Sequence, residues 1–181
     1  MCLVGSLEGT IFTWLAYYAT GFVPATTANL LLSTYLLAYI PARFIFTLAI
    51  DYVPYLALLL VAVAPGIPAL VIVFSGANGL VLFAAVFVAG ACISSGFPIS
   101  TAYAVDAAPE YTGPLNALTN GAMYIGMSLA PALVGVPGDL YGIQRALGLT
   151  VGISGALIIT IVVMVVRTGT ANAPTANTPA D

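Results

Sequence analysis

Tyr39-Ile-Pro-Ala-Arg43-Phe-Ile-Phe-Thr47-Leu-Ala-Ile-Asp51 divides the chain. The stretch closes one long apolar segment, and another follows almost at once. It holds Arg43, one of three cations in 181 residues, and ends on the acid Asp51. In so apolar a chain, charged residues at a segment end mark where the backbone leaves lipid for water.

Composition sets the class. The sequence is 61% hydrophobic and 5% charged, with a mean hydropathy of +1.12, whereas a soluble domain is about 25% charged. There are too few charged groups to clothe a water-facing surface, so the expected unit is a bilayer span of ~20 apolar residues. A net charge of -3 gives no attraction for nucleic acid. Histidine, the commonest metal ligand and proton shuttle, is absent. Cys2 and Cys92 have no metal-ligand spacing, and neither a disulfide, a metal nor a cofactor is expected. Met1 to Glu8 lacks a basic region and a cleavage site, and is read as mature sequence rather than a signal peptide. No phosphate loop or nucleophile–base set stands out, so no catalytic residue is assigned. The cell membrane is the expected location.

Around the opening stretch, six spans are expected: 3–23, 26–48, 53–74, 80–102, 115–136 and 143–166. Pro24 is expected to stop the first, and Pro41 to kink the second. Pro65-Gly66-Ile67-Pro68 breaks the third into pieces too short to span alone, so it reads as one kinked helix. Residues 103–114 read as a polar loop and 136–142 as a turn. Residues 1–167 form one bundle, followed by a tail at 168–181 expected to be disordered.

Polarity repeats along the chain. Spans one and two carry polar groups and three does not; four and five carry them and six does not. A helix apolar all round faces lipid, and one with a polar stripe faces protein or a wet cavity. Spans one, two, four and five are therefore expected to face a polar path, with three and six in lipid. Thr47-x-x-x-Asp51 and Gly135-x-x-x-Asp139 end the second and fifth spans alike, on opposite sides of the membrane. The expected fold is an all-α bundle of six transmembrane helices built as two inverted three-helix repeats, a transporter design.

Several residues stand out as candidates. Glu8 is the one acid placed within a span, suited to proton coupling or to accepting a solute hydroxyl; alternatively it sits hydrated at the interface or caps the first turn. Asn116, Asn120 and Tyr124, spaced by four, share one helix face. They could bind a polar solute or hold helices together, and the solute-facing arrangement is preferred. Trp14, Tyr17 and Tyr18 could stack on a sugar ring or anchor at the interface, and the mid-span position of Trp14 favours the cavity. Asn29, Ser33 and Tyr35 read as packing groups. Arg43 and Asp51 could form a breakable ion pair that biases one access state, or merely mark the interface. Gly148-x-x-x-Gly152 is expected to pack the sixth helix into its own bundle.

Residues 6–167 resemble the C-terminal six-helix half of a major facilitator superfamily transporter. Ala42-Arg43 through Thr47 to Asp51 resembles that family's Gly-Arg-x-x-x-Gly-x-x-x-Asp-Arg signature, with Ala42, Thr47 and Tyr52 as departures. Gly96-Phe97-Pro98 resembles its tenth helix, and Ala130-Pro131 to Gly135 with Asp139 and Gly142 the end of its eleventh. Glu8 with Trp14 and Tyr18 is similar to the seventh helix of the fucose-permease-like sugar branch. The resemblance implies solute transport by alternating access, as a symporter, with Glu8, Trp14, Tyr18, Asn116, Asn120 and Tyr124 as solute-binding residues. It also implies that the Asp51 turn, the 103–114 loop and the tail are cytoplasmic, and that a second six-helix half, from another chain or a second copy, completes the path. A truncated or non-transporting membrane subunit and a channel-like pore are the alternatives.

Overall fold

In the computed structural model, which describes residues 1–168, these segments become α1 (Cys2–Ala19), α2 (Ala25–Leu37), α3 (Tyr39–Ala49), α4 (Tyr55–Val63), α5 (Gly66–Phe74), α6 (Gly79–Ala107), α7 (Thr112–Tyr141) and α8 (Ile143–Thr168). A single 3-10 turn, Pro109–Tyr111, precedes α7. The pairs α2–α3 and α4–α5 each form one interrupted rod, so the described chain is an all-α bundle of six helices. The expected tail lies outside the described residues, save Thr168, which closes α8.

Five of the six rods are long and apolar enough to cross a bilayer: Ala25–Ala49, Tyr55–Phe74, Gly79–Ala107, Pro109–Tyr141 and Ile143–Arg167. The eighteen-residue α1 is not in that set, because Glu8 and its hydroxyl groups dilute its hydropathy. It packs against α2, α6, α7 and α8 and is buried along much of its length, so protein rather than lipid solvates it.

The breaks follow from proline chemistry. Pro41 has no N–H for the Leu37 carbonyl and its ring crowds that oxygen, so the helix yields at Ala38. It resumes at once, with the Ala42 N–H donating to the Ala38 carbonyl at 3.2 Å. Between α4 and α5 only Ala64 and Pro65 are non-helical, as expected of one kinked span.

Other boundaries differ from expectation. The first helix ends at Ala19, where the Gly21 and Phe22 N–H groups turn back onto Tyr18 and Ala19, and Pro24 caps α2 instead of stopping α1. The expected 103–114 loop is almost entirely helical: α6 runs to Ala107 and α7 starts at Thr112. The expected 136–142 turn is also helix as far as Tyr141, with Pro131 and Pro137 inside it. The stop comes at Gly142, whose φ of 87° is open to glycine.

Packing revises which helices face outward. The centre is α6, packed against α2, α3, α4 and α5, with 56% of its most apolar stretch buried, against 22% for α2–α3 and for α7. Its Ser94 and Ser95 hydroxyls donate to Ala91 and Cys92 carbonyls of the same helix, so they need no wet path. Conversely α4–α5, expected in lipid, is 44% buried by the same measure. The tightest crossing is α1 on α7. Gly5 and Gly9 lie against the backbone of Met123 and Met127, and Gly126 lies against that of Cys2 and Ser6, so any side chain there would meet backbone. The expected packing role of Gly148 and Gly152 is not found: nothing lies within 4 Å of a Cβ at either.

Candidate functional site

The exterior carries one mixed-polarity wall. With 100° between residues, α7 presents two exposed sectors roughly 120° apart. One holds Asn116, Asn120, Gly121, Tyr124 and Ser128, half-buried or exposed; the other holds Leu118, Ile125, Leu129, Leu133, Val136 and Leu140. The polar sector lies beyond the α1 contact and away from α8, toward which Ala130 and Leu133 turn. The exposed side of the rod α2–α3 is mixed instead: Asn29, Ser33, Arg43 and Thr47 share it with Leu36 and Ile40, and Arg43 reaches Glu8 of α1. On its exposed side α1 presents Phe12, Thr13 and Tyr17, and both α2 and α7 pack on it.

At one edge of this wall sits a cluster of Glu8, Tyr35, Tyr39 and Arg43. Glu8 is 7% exposed and lies inside α1, past its first turn, so it does not cap that helix. Its Oε1 lies 3.9 Å from Nη2 of the half-exposed Arg43. The guanidinium stands 5.1 Å over the Tyr39 ring, a cation–π contact. The Tyr39 hydroxyl donates to that of the fully buried Tyr35 at 3.1 Å, and also acts on the Glu8 carboxyl group. Glu8 Oε2 is buried with no hydrogen-bond partner in the structure. The carboxyl group thus has one long ion pair and one open acceptor.

Arg43 therefore pairs with Glu8, whereas Asp51 was the expected partner. Asp51 lies past the end of α3, and eight residues span about 12 Å of helix, beyond direct contact. Tyr39 was not singled out and Tyr35 was read as packing. Their spacing of four with each other and with Arg43 is the signal that joins them.

The other candidates separate. Tyr18 is turned into the bundle: it is 5% exposed, donates to the Val73 carbonyl at 3.2 Å and meets Phe22 and Phe74 edge-on. It is removed from the wall. Trp14 clasps α1 to α7, with its indole N–H donating to the Pro131 carbonyl at 2.9 Å and its ring filling the space over Gly135. The Asn120 amide donates to the Asn116 carbonyl at 2.8 Å, and its remaining groups and the exposed Tyr124 ring are open to a ligand. Among the described residues no three of His, Cys, Asp and Glu come together as metal ligands.

No curated protein and no solved structure is significantly similar to the chain. The profile of one family does match, over residues 1–180, and it accords with the apolar spans and the wall of polar groups. The chain belongs to the Major Facilitator Superfamily, a family of multi-pass membrane transporters and not of enzymes.

Proposed function

We infer that the chain is the C-terminal six-helix half of a secondary transporter, carrying a small polar organic solute, sugar-like or drug-like, by alternating access. A second six-helix half, from another chain or a second copy, closes over the wall. The observation that carries this is the split exterior of α7. Polar groups facing hydrocarbon are costly, so the wall is built to meet water, solute or another bundle.

Helix pairing supports the inverted repeat. The first helix of the first triplet, α1, packs on the second of the second triplet, α7. Reciprocally, the first of the second triplet, α6, packs on the second of the first, α2–α3. A two-fold relation between three-helix units produces this exchange.

In this scheme Asn116, Asn120 and Tyr124 hydrogen-bond the solute, Glu8 couples transport to protons, and Arg43 releases or recaptures Glu8 as access alternates. Adjacent cysteines test the wall: with Cys2 and Cys92 replaced, Tyr124→Cys should react in membranes with a charged thiol reagent and Ile125→Cys should not. Equal reactivity would remove the wet path. Asn120→Leu should abolish the thermal stabilisation given by the transported solute. Glu8→Gln should stop accumulation against a gradient while sparing exchange; unchanged accumulation would exclude Glu8 as the coupling group.

A further inference from the structure

An open-sided cavity lies where the start of α1, α4 and α7 meets the end of α6 and α8. Its volume is about 230 Å³. Its sides are Leu59, Ile99, Leu157 and Ile161, and Thr119 faces it from α7, one residue from the wall residue Asn120. Tyr55, Ser100 and Tyr103 bring hydroxyls to it, and the two tyrosine rings meet edge-on at 6.2 Å. Among the described residues none of these three hydroxyls has a hydrogen-bond partner. By contrast, Thr119 and Thr160, which also line the cavity, spend their hydroxyls on carbonyls of their own helices.

We propose that this cavity binds a small ring compound bearing one hydroxyl group, at a site separate from the transport wall. The size fits: a dry apolar cavity of ~150 Å³ admits benzene, so this one has room for a ring and a short polar arm. The backbone amino group of Met1 also borders the cavity, beside the hydroxyl-bearing residues. The unpartnered Tyr55, Ser100 and Tyr103 hydroxyls supply both a donor and an acceptor for the ligand's own hydroxyl. Bound there, the ligand would touch five helices at once and brace them together.

The test uses the full chain in lipid nanodiscs, titrated with 2-(4-fluorophenyl)ethanol and followed by fluorine NMR against empty nanodiscs. The expected result is a saturable bound signal, displaced by 2-phenylethanol and not by ethylbenzene. Ala104→Phe, which fills the cavity, should remove the signal, and Tyr103→Phe should weaken binding about fivefold, as for one lost hydrogen bond. A signal that never saturates, or that survives Ala104→Phe, overturns the site. Equal displacement by ethylbenzene overturns the assigned chemistry. If Ala104→Phe does not fold, the Ser100→Ala/Tyr103→Phe double variant decides, and unchanged affinity overturns the proposal. Asn120→Leu should leave this binding intact, which separates its failure from that of the transport wall.

Discussion

Gly5 and Gly9 on α1 and Gly148 and Gly152 on α8 share one spacing and have opposite surroundings. The first pair lies against the α7 backbone; the second faces open space. Glycine at every fourth position permits close approach of helices, but it does not supply the neighbour that approaches. The neighbour comes from the pairing of α1 with α7, which places Gly126 of α7 against the backbone of Cys2 and Ser6.

The largest effect should follow from breaking the packed pair. Gly9→Leu pushes a side chain into the Met127 backbone, which cannot give way, and should cost about 4 kcal/mol or more, read as loss of a monodisperse folded species in detergent. A well-folded variant would show that α1 and α7 cross elsewhere. Next comes the cluster beside that crossing. Arg43→Met leaves Glu8 without its cation and should cost about 2 kcal/mol, reduced from the fully buried case because Arg43 is half-exposed. Adding Glu8→Gln should recover part of the loss, and no recovery would mean that the pair is not coupled. Trp14→Phe removes the indole donor to Pro131 and keeps the ring over Gly135, so thermal unfolding should report a loss of about 1 kcal/mol. Smallest of all should be Gly152→Leu, within about 0.5 kcal/mol of the parent in the same assay. A large loss there would show that the outer face of α8 is covered in the membrane.

The wall was half legible before any coordinates. Asn116, Asn120 and Tyr124 could be placed on one face from their spacing, and Glu8 marked out as the acid within a span. The partner of Arg43 was not legible, because Asp51 is near in sequence and Glu8 is near only after α1 packs beside α2–α3. Tyr18 misled because a phenol in an apolar helix looks the same whether it serves a solute or the Val73 carbonyl. Ser94 and Ser95 misled similarly, since a helix carbonyl satisfies a hydroxyl as well as water does.

What the sequence by itself determined is the solvent and the count. Few charges and apolar runs of bilayer length dictate helices in lipid, since only internal hydrogen bonds can satisfy the backbone there. Prolines 41 and 65 placed the breaks through the donor each lacks. Only the tertiary structure decided which face of each helix is inside. In a membrane protein the lipid side and the packed side are both apolar, so hydropathy does not distinguish them. The neighbours do, and they made α6 the centre, turned Tyr18 inward, and joined Glu8 to Arg43.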